Sequence, residues 1–347
     1  MTDGDRHYDF VIAGGGSAGC VLANRLSADA ANRVCLIEAE PPDTSPLIHI
    51  PAGVIALINH RRLNWNWLTS GQDHAAGRQI KVPRGRTLGG SSAINGMIYM
   101  RGHPLDYDEW AEAGNVGWGF ADVLPYFKKS ESNETFGETE CHGQGGPLAV
   151  SDLERCNPLT DALLGATNSM QFPRRADFNG SDQEGFGTRQ VTIRGGRRQS
   201  TAVAFLDPAR GRSNLDIITG GLVGKVLLEG GRATGVELLR DGGERLVISA
   251  AREVILSAGA VSSPAILMRS GIGDGAELAG HGIEVKHELA GVGRNLQDHI
   301  SAGLQYSSPS AVPYGLSFRA APRLAASALK YIFTRRGFFA GNMIEGG

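Results

Sequence analysis

Long apolar runs are missing from this chain. Nowhere in its 347 residues do about eighteen uncharged apolar residues follow one another, so no membrane-spanning helix is expected. Cysteine is scarce. Cys20, Cys35, Cys141 and Cys156 form no C-x-x-C pair, which argues against a disulfide scaffold or a zinc ribbon. Cys141-His142 with Cys156 lacks zinc spacing, and Cys20 and Cys35 sit in apolar runs as inert thiols. Charge of one sign is also absent. Lys and Arg number 34 against 36 Asp and Glu, a net charge of −2 without a basic block, so no nucleic-acid partner is expected. The start, MTDGDRHYDF, is polar where a signal peptide would be apolar. A reducing, cytoplasmic bacterial setting is the expectation. Glycine, by contrast, is abundant at 49 residues and aperiodic, which points to tight turns and close backbone approaches rather than collagen.

The first motif lies at the N-terminus. Tyr8 to Ala13 reads as a buried strand feeding Gly14-Gly15-Gly16-Ser17-Ala18-Gly19, and Cys20 to Leu26 then shows helical apolar spacing. G-x-G-x-x-G at a strand-to-helix turn is a pyrophosphate site. Gly14 permits the turn, Gly16 lets backbone N–H groups approach phosphate, and Gly19 lets the helix press on the strand. Arg33 to Glu38 reads as a second parallel strand. Glu38 falls about 20 residues past the last glycine, where a carboxylate holds ribose hydroxyls. The motif alone leaves NAD and FAD open. No third βα unit follows Glu38 for a long stretch, which tilts the reading toward a flavin protein with an inserted second region.

The stretch Gly85-Arg86-Thr87-Leu88-Gly89-Gly90-Ser91-Ser92-Ala93-Ile94-Asn95 resembles the first signature of the glucose-methanol-choline (GMC) oxidoreductases. Gly259 to Gly273, GAVSSPAILMRSGIG, resembles the second. Gly291 to His299, Asn64 to Trp67 and Asp106 to Trp110 are also similar to the family. The likeness covers nearly the whole chain and is nearest to choline-dehydrogenase-like and aliphatic alcohol dehydrogenase members. It implies FAD as cofactor. The implied binding set is Gly14, Gly16, Ser17, Ala18, Gly19, Glu38, Ala39, Trp67, Arg86, Thr87, Gly89, Gly90, Ser91, Asn95, Gly96, Met97, Val226, Ala258 and Gly259. Val226 would meet the adenine end through its backbone. Some members tether FAD through a histidine just before the asparagine. Ile94 stands there and carries no nucleophile, so non-covalent FAD is expected.

The fold class expected is α/β, α+β overall: a Rossmann-like FAD-binding domain with a βαβ unit and an antiparallel β-meander, plus a second, incomplete substrate-binding domain. Strands are read at Asn214–Thr219, Gly224–Glu229, Thr234–Leu239, Arg245–Ile248 and Glu253–Ser257, with a hairpin at Gly230-Gly231. The FAD domain would take residues 1–154 and 214–300, the substrate domain 155–213 and 301–347, with Gln144 to Pro147 as linker. Residues Ala321 to Arg335 show helical apolar spacing beside basic residues, either packed on the domain or resting on a membrane surface.

The resemblance implies oxidation of an alcohol to an aldehyde or ketone by hydride transfer to flavin N5, with an electron acceptor that the sequence does not identify. A base near the flavin must take the hydroxyl proton. In the family it is a histidine far toward the C-terminus, and no matching histidine motif is found before Gly347. His299 and His103 read as structural or capping residues, so no catalytic residue is assigned. A chain that binds FAD without turnover is the competing reading, and a nicotinamide-dependent dehydrogenase a more distant one.

Overall fold

A computed structural model describes residues 6–154, 156–240, 242–299, 301–307, 309, 310, 312 and 320–347. The chain folds into two compact units. The first holds Met1–Thr44, Asn59–Ile94 and Ser200–Leu304; the second holds Ser45–Ile58, Asn95–Gln199 and Gln305–Gly347. Residues 95–154, read from sequence as part of the nucleotide domain, therefore cluster with residues 156–199. The Gln144–Pro147 stretch lies inside the second unit, where Gly146 N–H donates to Glu131 O at 2.8 Å.

Among the described residues the first unit is built on a six-stranded sheet. Its strands are β1 (Arg6–Ala13), β2 (Val34–Glu38), β3 (Leu215–Thr219), β4 (Gly221–Glu229), β5 (Arg232–Arg240) and β6 (Arg245–Leu256), in the order β4-β5-β6-β1-β2-β3. Pairing is parallel from β6 through β1 and β2 to β3, and antiparallel from β4 to β6. The parallel strands are near-continuous apolar runs because both faces are covered. On β1, Phe10 and Ile12 enter one core with Cys20, Ala23, Leu36 and Leu206. Val11 and Ala13 enter the other with Ile37, Val223 and Ile266. Each fully buried aliphatic side chain contributes roughly 1.5–3 kcal/mol over exposure.

The hairpin between β4 and β5 turns at Gly230 (φ +57°) and Gly231 (φ +79°), the two left-handed positions that a type I′ turn requires. One expectation changes here. Arg245–Ile248 and Glu253–Ser257 are not two strands but a single strand, β6. Its first half closes the meander against β5, and residues Ile248 to Leu256 lie parallel to β1. An irregularity in the β1 register between Tyr8 and Phe10 absorbs the change of partner. Two helices flank the sheet, α1 (Ser17–Leu26) after β1 and α2 (Gly259–Arg269) after β6.

The second unit carries helices at Pro104–Glu112, Phe120–Ser130, Pro158–Ser169 and Ala321–Thr334. Its small pairings include parallel Glu131–Asn133 with Leu148–Val150, and a tight hairpin joining Ile193–Arg194 to Arg197–Arg198.

Candidate dinucleotide site

The β1-to-α1 turn is shaped by three glycines that do different work. Gly14 has φ +109°, and a Cβ there would come within 2.6 Å of Ser257 O. A Cβ on Gly19 would overlap the Gly14 carbonyl oxygen, so Gly19 is needed for helix-on-strand contact. Gly16 differs: a Cβ would meet nothing nearer than Gly90 Cα at 3.8 Å. Protein packing does not demand a glycine at Gly16, so close approach of a ligand remains as the reason.

The Gly85–Asn95 stretch approaches this same turn. Gly89 N–H donates to Gly15 O at 2.8 Å, and Gly90 (φ +52°) would place a Cβ 2.7 Å from Gly16 Cα. Two glycine loops thus stack backbone on backbone. Ser91 Oγ accepts the Gly85 N–H at 3.1 Å, and Ser92 Oγ donates to Gly89 O at 2.6 Å, which hold the signature loop in its turn. From the other side Ser257 Oγ donates to Gly14 O at 2.8 Å.

These loops wall a cavity of about 470 Å³ within the first unit. Gly14, Gly16, Ser17, Ala18, Glu38, Ala39, Trp67, Gly90, Ser91, Ala258 and Gly259 line it, as the sequence reading expects of contacting residues. The N-termini of α1 and α2 both open onto it. Their unpaired first-turn N–H groups and aligned peptide dipoles make two anion-attracting ends in one space. Sequence reading missed Trp65, Arg84, Val223, Ser262, Ser263 and Arg269, which also line the cavity. Trp65 stacks on Trp67 with centroids 5.4 Å apart, and the Arg86 guanidinium lies 4.4 Å from the Trp65 ring while pairing with Glu40 at 2.7 Å. The aromatic pair in Asn64–Trp67 was a legible signal for this wall.

Glu38 ends β2 inside the cavity wall and is 7% exposed. Its Oε2 accepts the Gly15 N–H at 2.9 Å. Burial strips hydration from the charged form and pushes the carboxyl up to about 7, outweighing that hydrogen bond. A ligand hydroxyl donating to this carboxylate would favour its charged form.

Several expected contact residues sit outside the lining. Gly19 and Gly89 shape the loops, Thr87 is fully buried with its hydroxyl donating to Pro41 O at 3.0 Å, and Arg86 braces Trp65. Val226 of β4 also sits outside the lining: its N–H donates to Ser270 Oγ at 2.8 Å and its side chain is in the core, while Gly221, Leu222 and Val223 of that strand line the cavity. An irregularity in the β4–β5 register between Val223 and Lys225 sets which backbone groups remain unpaired, and no alternation pattern shows it.

Asn95, Gly96 and Met97 belong to the second unit. They are held tightly there. Arg198, 1% exposed, donates through Nη1 to Asn95 O at 2.7 Å and to Asn95 Oδ1 at 2.8 Å, and through Nε to Ile48 O at 2.8 Å. Asn342 Nδ2 donates to Gly96 O, and Thr192 N–H to Met97 O at 2.8 Å. Met97 is buried at φ +59°.

Two histidine rings are committed elsewhere, and a third is exposed. His103 caps Pro104–Glu112: its Nδ1 accepts the Leu105 N–H and Asp106 accepts the His103 N–H in return. His142 lies between two carboxylates, Nδ1 3.0 Å from Glu131 and Nε2 2.9 Å from Asp177, which leaves no ring nitrogen for a metal. Burial works against its charge, yet the two carboxylates outweigh burial and hold its pKa at about 9. Arg101 completes the buried network through a 2.7 Å bond to Glu131. His299 donates its N–H to its own neighbour Asp298 and its side chain is exposed.

A nucleotide-binding sheet, a signature loop stacked on its first turn and a second helix opening onto the same cavity define a flavoprotein-type dinucleotide site. The GMC oxidoreductase family model matches residues 8–301, and the chain belongs to that family. It is 48% identical over 341 residues to an alcohol dehydrogenase [acceptor] of Pseudomonas putida, a match covering 98% of this chain and 62% of that protein. It is 47% identical over 297 residues to an oxygen-dependent choline dehydrogenase of Brucella anthropi, covering 86% and 54%. Among solved structures, pyridoxine 4-oxidase from Mesorbium loti superposes with a TM-score of 0.77 at 40% identity, over 81% of this chain and 55% of that one. The chain thus spans between half and two thirds of the length of these relatives.

Proposed function

We propose that this chain binds FAD without a covalent bond and serves the oxidation of an alcohol CH–OH group. The observation that carries the reading is the convergence of two helix N-termini, the Gly16–Gly90 cradle and the buried Glu38 on one cavity. Its volume lies in the usual range of cofactor sites, roughly 300–1,000 Å³. FAD, when bound, supplies the hydride acceptor.

The chain's own residues do the binding. The N–H groups at the start of α1 hold the pyrophosphate, and Gly16 lets it come close. Glu38 accepts from the ribose hydroxyls. Val223 replaces Val226 in the assignment of the adenine end. Ser91, Ala258 and Gly259 line the cavity from the two signature segments. Asn95, Gly96 and Met97 are kept as cofactor residues on the family resemblance alone, and within the second unit Arg198 holds Asn95 rigidly. Ile94 is apolar and 5% exposed, so it offers no tether. His103 and His142 are occupied by structural hydrogen bonds and are assigned no part in proton transfer.

The test is an absorbance spectrum of the purified 347-residue chain, before and after anaerobic addition of an alcohol panel. Flavin bands released fully by acid precipitation support non-covalent FAD. Bleaching by an alcohol supports oxidation by this chain itself. Bands that persist with every alcohol favour FAD binding without turnover, a reading consistent with the engaged histidines. A colourless chain that takes up no added FAD would sink the proposal.

A further inference from the structure

One face of α2 lines the cavity along the whole helix. Gly259, Ser262, Ser263, Ile266 and Arg269 all lie on its wall, spaced three or four residues apart. From Gly259 to Arg269 the axis runs roughly 15 Å at 1.5 Å per residue. The cavity is therefore elongated, and its two ends differ. The first-turn N–H groups of α1 and α2 belong to one end. Arg269, in the last turn of α2, belongs to the other.

That far end is built by the start of β4. Glu38 pairs with Thr219 of β3, and β4 begins two residues later at Gly221. Gly221, Leu222 and Val223 line the cavity. The β4–β5 register breaks between Val223 and Lys225, so Gly224 has no ladder partner. Its carbonyl oxygen is left to accept from Arg269 Nε at 2.7 Å. The next residue, Ser270, accepts the Val226 N–H at 2.8 Å, so two consecutive side chains tie the end of α2 to this stretch of β4. A guanidinium carries five N–H donors. Arg269 spends one on Gly224 and has no other hydrogen bond or ion pair among the described residues. The bulge thus orients a planar fork and leaves four of its donors unspent.

A dinucleotide leaves one group for that fork. Its pyrophosphate is drawn to the helix N-termini at the opposite end of α2. Its ribose hydroxyls face Glu38. What remains beside β4 is the base, which offers acceptor ring nitrogens at its edge and a π-face. A planar guanidinium suits both. Building on the FAD reading above, we propose that Arg269 is a positioning residue for the adenine of the bound dinucleotide, aimed by the unpaired Gly224 carbonyl, and that it makes this end of the cavity select a purine.

The experiment is isothermal titration of the flavin-free 347-residue chain with FAD, ADP and CDP. ADP and CDP share their phosphates and ribose and differ in the base. The wild type is expected to bind ADP at least about tenfold tighter than CDP. Arg269→Met keeps the aliphatic stem without the fork. It should weaken FAD and ADP about tenfold, leave CDP within about twofold and keep the melting temperature. Arg269→Lys keeps the charge but not the plane, so it should also lose the preference for ADP, and it carries the test should the Met variant misfold. Equal weakening of ADP and CDP would make Arg269 a phosphate ligand and overturn the proposal. A wild type indifferent to the base, or a wild-type preference for ADP in either folded variant, would overturn it as well. Failure of the FAD reading looks different: a wild-type chain that takes up neither FAD nor ADP overturns both, whereas wild-type uptake matched by Arg269→Met overturns this inference alone.

Discussion

At the residue scale, glycines of one motif separate by what their missing side chains would meet. Gly16 faces open cavity and Gly19 faces backbone, so their substitutions should fail differently. Gly16→Val should leave the melting temperature of the FAD-free chain nearly unchanged while FAD uptake, followed by flavin fluorescence, drops at least about tenfold. Gly19→Ala should destabilise the fold itself by about 1–3 kcal/mol in denaturant titration. Glu38 gives a pH prediction. Its carboxyl is raised to about 7 from 4.5, so the stability associated with its protonated form is present below 4.5 and lost as pH rises through 7. A bound ribose that donates to the carboxylate lowers this pKa, and binding then releases a proton. FAD affinity should therefore rise with pH up to about 7, by as much as about tenfold per unit, and level off above it. Glu38→Gln should flatten that profile; an unchanged slope would show that another group carries it.

At the element scale, β4 and β6 both contribute to the cavity wall, through Gly221 to Val223 and through Leu256. Val223 and Val226 share one core on either side of the irregularity, and only the start of β4, Gly221 to Val223, reaches the cavity. Leu222→Trp, at an exposed lining position, should weaken FAD binding with modest loss of stability. Val226→Ala should do the reverse, costing roughly 1–3 kcal/mol of stability through a core void while leaving affinity within about twofold. The β1 strand, α1 and Glu38 were legible because a buried strand, a glycine turn and an acid at the right spacing each have a local cause. The Gly230-Gly231 hairpin was legible for the same reason. The continuity of β6 was not. Ser249 to Arg252 lack the apolar run of a strand; Ser249 pairs with both β5 and β1, Ala250 with β1, and the strand passes through to Glu253 where pairing with β1 resumes.

At the scale of the whole molecule, the second unit contains a buried ionic network that ties distant segments together: Arg101, Glu131, His142 and Asp177. His142 is raised from 6.5 to about 9, so its stabilising effect is complete below 6.5 and lost as pH rises through 9. Glu131 and Asp177 are held below the usual carboxylate range against the cost of burial, Glu131 by His142, Asn133, Gly143 and Arg101, Asp177 by His142 and Asn179. Their contribution is lost only as pH falls through those lowered values. Chemical denaturation should show stability declining between about pH 6.5 and 9, and His142→Gln should remove that slope while costing about 3 kcal/mol near neutrality through the carboxylates left short of partners.

The sequence by itself determined the family, the pyrophosphate turn, the acid at the tip of β2 and the lack of a nucleophile at Ile94. Each of these is written in contiguous residues, where backbone conformation and side-chain chemistry act over a few positions. Tertiary structure alone decided which residues share the cavity. Val223 rather than Val226, Trp65 with Arg86 behind it, and Arg198 on Asn95 depend on register and on segments more than twenty residues apart in sequence. It also decided that the side of Ala321–Thr334 carrying Tyr331 is the buried one. Helical periodicity marks a stripe as apolar, but only packing determines whether the stripe or its opposite meets the protein.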